Sequence, residues 1–191
     1  MKFCSRRTFL AHGAAALAAV PFTIPPRALT AQTPARILRA ERRIIEVGGR
    51  AASVFALLNE NGDHGLIFDR TEPFRVQLEN RIGSPTLVHW HGLTPPWEQD
   101  GVPDQPLPAL LEDETRLYDF PLREAGTYWM HSHLGLQEQA LLAAPLIVRD
   151  PDEAAIDRQE VVIMLHDFSF RPAEEILASL ESGGHMMAAD G

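Results

Sequence analysis

Cysteine is almost missing from this chain: one thiol, at position 4, in 191 residues. It precedes an alanine-rich apolar stretch from Ala11 to Val20, and residues 1–31 together have the layout of an export signal, expected to be cut near Ala31. The mature chain then holds no cysteine, which excludes disulfides and any thiolate metal ligand. Long hydrophobic runs are scarce too. The stretch from Ala11 to Val20 is about half the roughly 20 residues a helix needs to cross a bilayer, so no membrane span is expected. Positive charge is the third scarcity, with 17 basic residues against 26 acidic ones. Loss of residues 1–31 removes Lys2, Arg6, Arg7 and Arg27 and no acid, which leaves 13 basic against 26 acidic, a formal charge of -13. Such an acidic surface argues against nucleic acid and anionic membrane as partners.

Past the signal, short runs rich in apolar and β-branched residues recur: Ile37 to Val47, Phe74 to Asn80, Thr86 to His91, Thr115 to Phe120, Gly126 to His133, Ala144 to Arg149 and Glu160 to His166. Turn formers separate them, among them Gly48-Gly49, Gly83-Ser84-Pro85, Pro95-Pro96, Asp100-Gly101 and Asp150-Pro151. Short strands spaced by turns predict an all-β fold, a Greek-key β-sandwich or barrel. Leu136 to Leu142 is expected to form a short helical turn. There is no internal repeat or low-complexity tract.

Two histidine pairs carry the functional signal: His89-Trp90-His91 and His131-Ser132-His133. Spacing of i, i+2 on an extended strand sends both imidazoles of a pair to one face. One such pair alone reads as an exposed polar strand face. Two pairs, each preceded by an apolar run, point to a metal site, because burying four unpartnered imidazoles is costly and a metal removes that cost. Imidazole suits copper, zinc, iron and nickel. A blue-copper centre needs a cysteine beside its histidines, so this chain cannot hold one. A redox copper site, a non-catalytic copper-binding module and a mononuclear zinc or copper hydrolase all use such histidines, and for the hydrolase Asp100 is the only evident carboxylate.

The string HWHGLTPPWEQDGVPDQP, the Tyr118-Asp119-Phe120 strand and GTYWMHSHLGLQEQALLAAPLIV together resemble the first cupredoxin (plastocyanin-like) domain of the multicopper oxidases, in particular their bacterial copper-resistance and laccase-like members. The likeness runs from about Phe74 to Pro151. Asn59 to Gly65 replaces a Gly-Pro turn common in that family, and Leu111-Glu112-Asp113-Glu114 replaces a Pro-Gly turn. The resemblance implies a cupredoxin-like fold over 32–151, and in 152–191 a linker and the start of an incomplete second cupredoxin domain, with Gln159 to Leu165 as its first strand. A truncated chain is therefore expected. It also implies copper as cofactor: His89 on a type 2 ion, His91 and His131 on one type 3 ion, and His133 on the other. Asp100 would help deliver protons to dioxygen, with a phenol or Cu(I) as reducing substrate. The remaining cluster ligands and the blue-copper cysteine would come from further domains or another subunit. Arg6-Arg7 resembles a twin-arginine export signal and implies a periplasmic protein. His12, His64 and His166 stay outside the expected site, as does His185-Met186-Met187, although its thioethers and imidazole suit Cu(I). Trp90, Trp97 and Trp129 are expected to serve core and loop packing.

Overall fold

Gly48 and Gly49 both hold positive φ, 57° and 77°, the backbone of a two-residue hairpin turn whose twist matches that of the flanking strands. They fold β1 (Arg36–Val47) back onto β2 (Arg50–Asn59), with Val47 opposite Arg50. The computed structural model describes residues 33–103 and 107–183. Residues 1–32, where an export signal is expected and where Cys4 and His12 fall, and the His185-Met186-Met187 group lie outside the described residues.

Six further strands follow: β3 (Leu66–Asp69), β4 (Pro73–Arg81), β5 (Val88–His91), β6 (Thr115–Pro121), β7 (Gly126–Ser132) and β8 (Ala143–Arg149). They form two four-stranded sheets, ordered β2-β1-β4-β6 and β3-β8-β7-β5. The pairs β1–β4 and β3–β8 are parallel and the others antiparallel. The fold is the expected all-β one.

Period-two alternation places Leu38, Ala40, Phe74, Val76 and Leu78 of the first sheet and Trp90, Met130, Leu146 and Val148 of the second in one core. Aromatic contacts cross between the sheets. Phe74 on β4 meets Phe68 on β3 at 5.2 Å and Trp90 on β5 at 4.8 Å, and Trp90 meets Tyr118 on β6 edge-on at 4.9 Å. The Trp90 indole N–H donates to the Gln99 carbonyl at 3.1 Å, so its polar end is satisfied while the ring is buried. A buried aromatic of this size contributes about 3–5 kcal/mol by truncation, enough to anchor β5 with its two flanking histidines facing the other way.

The structure differs from expectation in two places. Strands β2 and β3 were not anticipated, and Glu160 to His166 is not a strand. That last segment makes no backbone ladder among the described residues, and its side chains stand out, with Ile163 75 % and Leu165 89 % exposed. A β-rich composition forms a strand only where a neighbouring edge takes up its hydrogen bonds. The run 135–141 is hydrogen-bonded turn, with Ala140 N–H to Leu136 C=O closing one helical turn and Leu141 N–H to Glu138 C=O a tighter one, in keeping with the short helical turn expected there. Two short helices complete the described chain, α1 (Pro151–Ala154), capped by the Asp150 side chain, and α2 (Ala173–Glu181). No helix among the described residues is long and apolar enough to cross a membrane.

Candidate metal centre

The register of β5 against β7 builds the site. His89 lies opposite His131 and His91 opposite Trp129, while Val88 opposes Ser132 and Trp90 opposes Met130. Directly opposed residues share a face. Trp90, Met130 and Ser132 therefore point into the core, and the histidines with Trp129 take the other side. His133 follows at the strand end, its N–H donating to the Leu87 carbonyl at 3.0 Å. A clamp fixes this register: Thr86 and Ser132 hydroxyls both donate to Gln137 Oε1, at 2.8 and 2.7 Å, and Gln137 Nε2 donates to the Pro85 carbonyl at 2.7 Å.

All four predicted histidines come together. Ring centroids lie 5.4 Å apart for His89 and His91, 5.7 Å for His89 and His131, 4.9 Å for His89 and His133, 5.4 Å for His91 and His131, and 4.8 Å for His131 and His133. Each strand's first histidine is anchored through Nδ1. That of His89 donates to the Asp100 carbonyl at 2.9 Å, and that of His131 lies 2.8 Å from Glu138 Oε2 and 3.2 Å from the Ser132 carbonyl. Because a carbonyl or carboxylate can only accept, the proton sits on Nδ1 in both rings and Nε2 carries a free lone pair.

His131 Nε2 then faces His91 Nδ1 at 3.2 Å. Without an ion this approach is a hydrogen bond from His91 to His131. It also suits one first-row ion: metal–nitrogen bonds of about 2.0–2.1 Å at a near-tetrahedral angle separate two nitrogens by about 3.3 Å. The neutral nitrogen donors thus fit a borderline metal such as copper. Among the described residues no three His, Cys, Asp or Glu side chains are placed to hold a single ion between them.

Asp100 is beside the site as expected, but its backbone makes the closer contact, with the carboxylate Oδ1 at 3.3 Å from His89 Nδ1. Trp129 departs from the packing role expected of it. Its ring stacks on His131 at 4.0 Å and on His91 at 4.9 Å, holding both imidazoles from the side. Trp90 is core, as read from sequence, whereas Trp97 opens a 3-10 turn (Trp97–Gln99) and is 60% exposed rather than packed. His64 is not a free turn residue: its Nε2 donates to the Ala143 carbonyl at 2.8 Å and its ring lies 6.5 Å from His166. Glu138 was missed altogether. Only its place two turns beyond His133 hints at it, and spacing along an irregular segment does not show direction.

Burial, ahead of any neighbour, holds His131 and His133 below the ordinary histidine pKa, with the nearby histidines adding to it and Glu138 opposing. His64 and His166 are likewise depressed, by burial and then by Arg43. Neutral imidazoles are the ligand form. For stability the sign follows from linkage: below the ordinary value of about 6.5 the unfolded chain takes up protons that the folded one resists, so acid favours unfolding. The melting temperature of the copper-free chain should fall as pH drops from about 7.5 to about 5.5. A flat or rising curve by calorimetry would contradict the assigned burial.

A family model described as multicopper oxidase matches residues 61–153. Copper resistance protein A of Escherichia coli is 38% identical over 108 residues, covering 56% of this chain and 18% of that protein. Multicopper oxidase MmcO of Mycobacterium tuberculosis is 31% identical over 171 residues, covering 87% of this chain and 33% of its own length. Among solved structures, a multicopper oxidase from Pseudomonas thermotolerans superposes with a TM-score of 0.57 at 29% identity, over 63% of this chain and 30% of that one. McoA from Aquifex aeolicus gives 0.56 at 26% identity, over 65% and 28%. The chain thus spans no more than about a third of the length of each of these four proteins.

Proposed function

The chain belongs to the multicopper oxidase family, and on that premise we propose that it is the N-terminal domain of a periplasmic oxidase and supplies half the ligands of a trinuclear copper cluster. The observation that carries this reading is the approach of His91 Nδ1 and His131 Nε2 to 3.2 Å, with the far nitrogen of His131 already engaged. In it His91 and His131 share one type 3 ion, His89 holds the type 2 ion and His133 the second type 3 ion. No ion then draws three ligands from this chain, and the others come from further domains or another subunit. Export ahead of Ala31, through the Arg6-Arg7 signal, places the protein in the periplasm.

Bound copper supplies the one-electron steps that carry dioxygen to water, with electrons from a reducing substrate such as a phenol or Cu(I). The residues of this chain position and protect. The Asp100 carbonyl holds the His89 ring proton on Nδ1, Trp129 limits ring rotation, and Trp90 on the reverse face ties the His89-His91 strand to the core. The Asp100 carboxylate, 30% exposed and beside His89, is placed to pass protons from solvent toward reduced oxygen.

The test uses colour and oxygen uptake. With no cysteine beyond position 4, the copper-loaded chain should show no intense absorption near about 600 nm, the band of a blue-copper thiolate centre. Lacking that electron entry and half the cluster ligands, it should not consume oxygen steadily with a laccase dye. Strong blue colour, or multi-turnover uptake that survives removal of free copper by a chelator, would show that the histidines form a complete site within or between copies of this chain.

A further inference from the structure

Behind the histidine face runs a turn that no role has yet absorbed. It carries Glu138, whose Oε2 reaches His131 Nδ1 at 2.8 Å with the carboxylate side chain 38% exposed and the imidazole only 6%. Resting on the copper reading above, we propose that Glu138 is a positioning residue of the metal centre: by accepting the Nδ1–H of His131 it fixes the tautomer whose Nε2 lone pair faces His91.

The turn is built to hold that carboxylate still. Gln137, its neighbour, is fastened by the Thr86 and Ser132 hydroxyls and by the Pro85 carbonyl. Leu142 N–H returns to the Gln137 carbonyl at 2.9 Å and Leu141 N–H to the Glu138 carbonyl at 2.8 Å. Leu141 adopts a left-handed backbone, φ 69°, which costs a leucine about 1–2 kcal/mol and persists only where surrounding bonds impose it. Strain of this kind, three residues beyond Glu138, belongs to a segment held in place for what it presents. Trp129, stacked at 4.0 Å and 11° on the same imidazole, blocks it from rotating away from the carboxylate.

One competitor exists for the Nδ1 proton, the Ser132 carbonyl at 3.2 Å. The carboxylate is closer and charged, and charge-assisted hydrogen bonds are roughly twice as strong as neutral ones. Without Glu138 the proton is free to move to Nε2, where it blocks a metal. Outer partners of ligating histidines typically govern about 10 to 100-fold in metal affinity.

The experiment reads ring-nitrogen 15N signals of the copper-free full chain at about pH 8, where histidines with ordinary or depressed pKa values are neutral, and Cu(II) affinity against a competing chelator. The wild type should show a protonated Nδ1 and a bare Nε2 at His131. Glu138→Ala should populate the Nε2–H form and weaken Cu(II) binding by about 10 to 100-fold. Glu138→Gln, which keeps an accepting oxygen, should restore the wild-type ring pattern and most of the affinity. Should the alanine variant fail to fold, Glu138→Met keeps the stem and removes only the acceptor. If neither ring signals nor affinity change in Glu138→Ala while His131→Ala loses copper, the Ser132 carbonyl suffices and the role of Glu138 is refuted with the copper reading intact. If His131→Ala binds Cu(II) as well as wild type, the copper reading itself falls, and this role with it.

Discussion

Copper affinity should drop by at least about 10 to 100-fold when any one of His89, His91, His131 or His133 is replaced by alanine, because a direct ligand cannot matter less than the partner that orients it. His131 should show the greatest loss. It is the most buried of the four, it faces His91 across 3.2 Å, and its other nitrogen is committed to Glu138, so no second geometry is open to it. The double variant His91→Ala with His131→Ala should lose far less than the sum of the two single losses, since residues sharing one ion act as a unit. His64→Ala and His166→Ala serve as controls. They belong to a separate pair 6.5 Å apart, with His64 occupied by the Ala143 carbonyl, and their replacement should leave copper binding nearly unchanged. Titration of the variants against one chelator decides the matter. Equal, small and additive losses at all these positions would mean that the histidines bind independently as surface ligands.

Period-two patterning made the site legible before its surroundings. Two residues of a His-x-His pair must share a strand face wherever the strand goes, and the apolar lead-ins at Thr86 to Val88 and Thr127 to Met130 mark both segments as strands with a buried face. Pairing of β5 with β7 then needed only the hydrophobic register that buries Trp90 against Met130. Strand β2 was illegible because its alanines carry little strand preference and its place depends on the Gly48-Gly49 turn. Four-residue β3 is set by a parallel partner, β8, nearly eighty residues away in sequence, a relation no local window contains. Glu160 to His166 failed in the opposite direction: its composition suits a strand, yet no described edge receives it. Asp100 was found for its carboxylate, whereas its carbonyl makes the tighter contact, and backbone groups leave no mark in a sequence. Glu138 depends on the path of an irregular turn, which patterning does not give.

Gly101→Ala should be the most damaging single substitution outside the histidines. Gly101 holds φ at +74°, and a Cβ there would lie 1.8 Å from the Val88 carbonyl oxygen, 2.6 Å from its carbon and 3.1 Å from the His89 nitrogen. Those atoms are backbone at the start of β5, fixed by pairing with β7 and by the buried Trp90 ring, so they cannot give way as a side-chain tip would. Either the Asp100-Gly101 loop retreats and the carbonyl holding His89 is lost, or β5 shifts and carries both of its histidines with it. The left-handed backbone alone costs a side-chain residue about 1–2 kcal/mol. With the clash added, the loss should exceed about 4 kcal/mol, a large share of the roughly 5–15 kcal/mol by which domains are stable. Gly48→Ala separates the two contributions: its φ of +57° is comparable, but nothing lies within 4 Å of the added carbon. Urea unfolding of both variants should therefore give a modest shift for Gly48→Ala and, for Gly101→Ala, a midpoint so low that folded protein is scarce. Similar shifts in the two would mean that the close approach of Gly101 to the Val88-His89 backbone is relieved at little cost, and that the loop does not hold β5 and His89 as tightly as the contacts require.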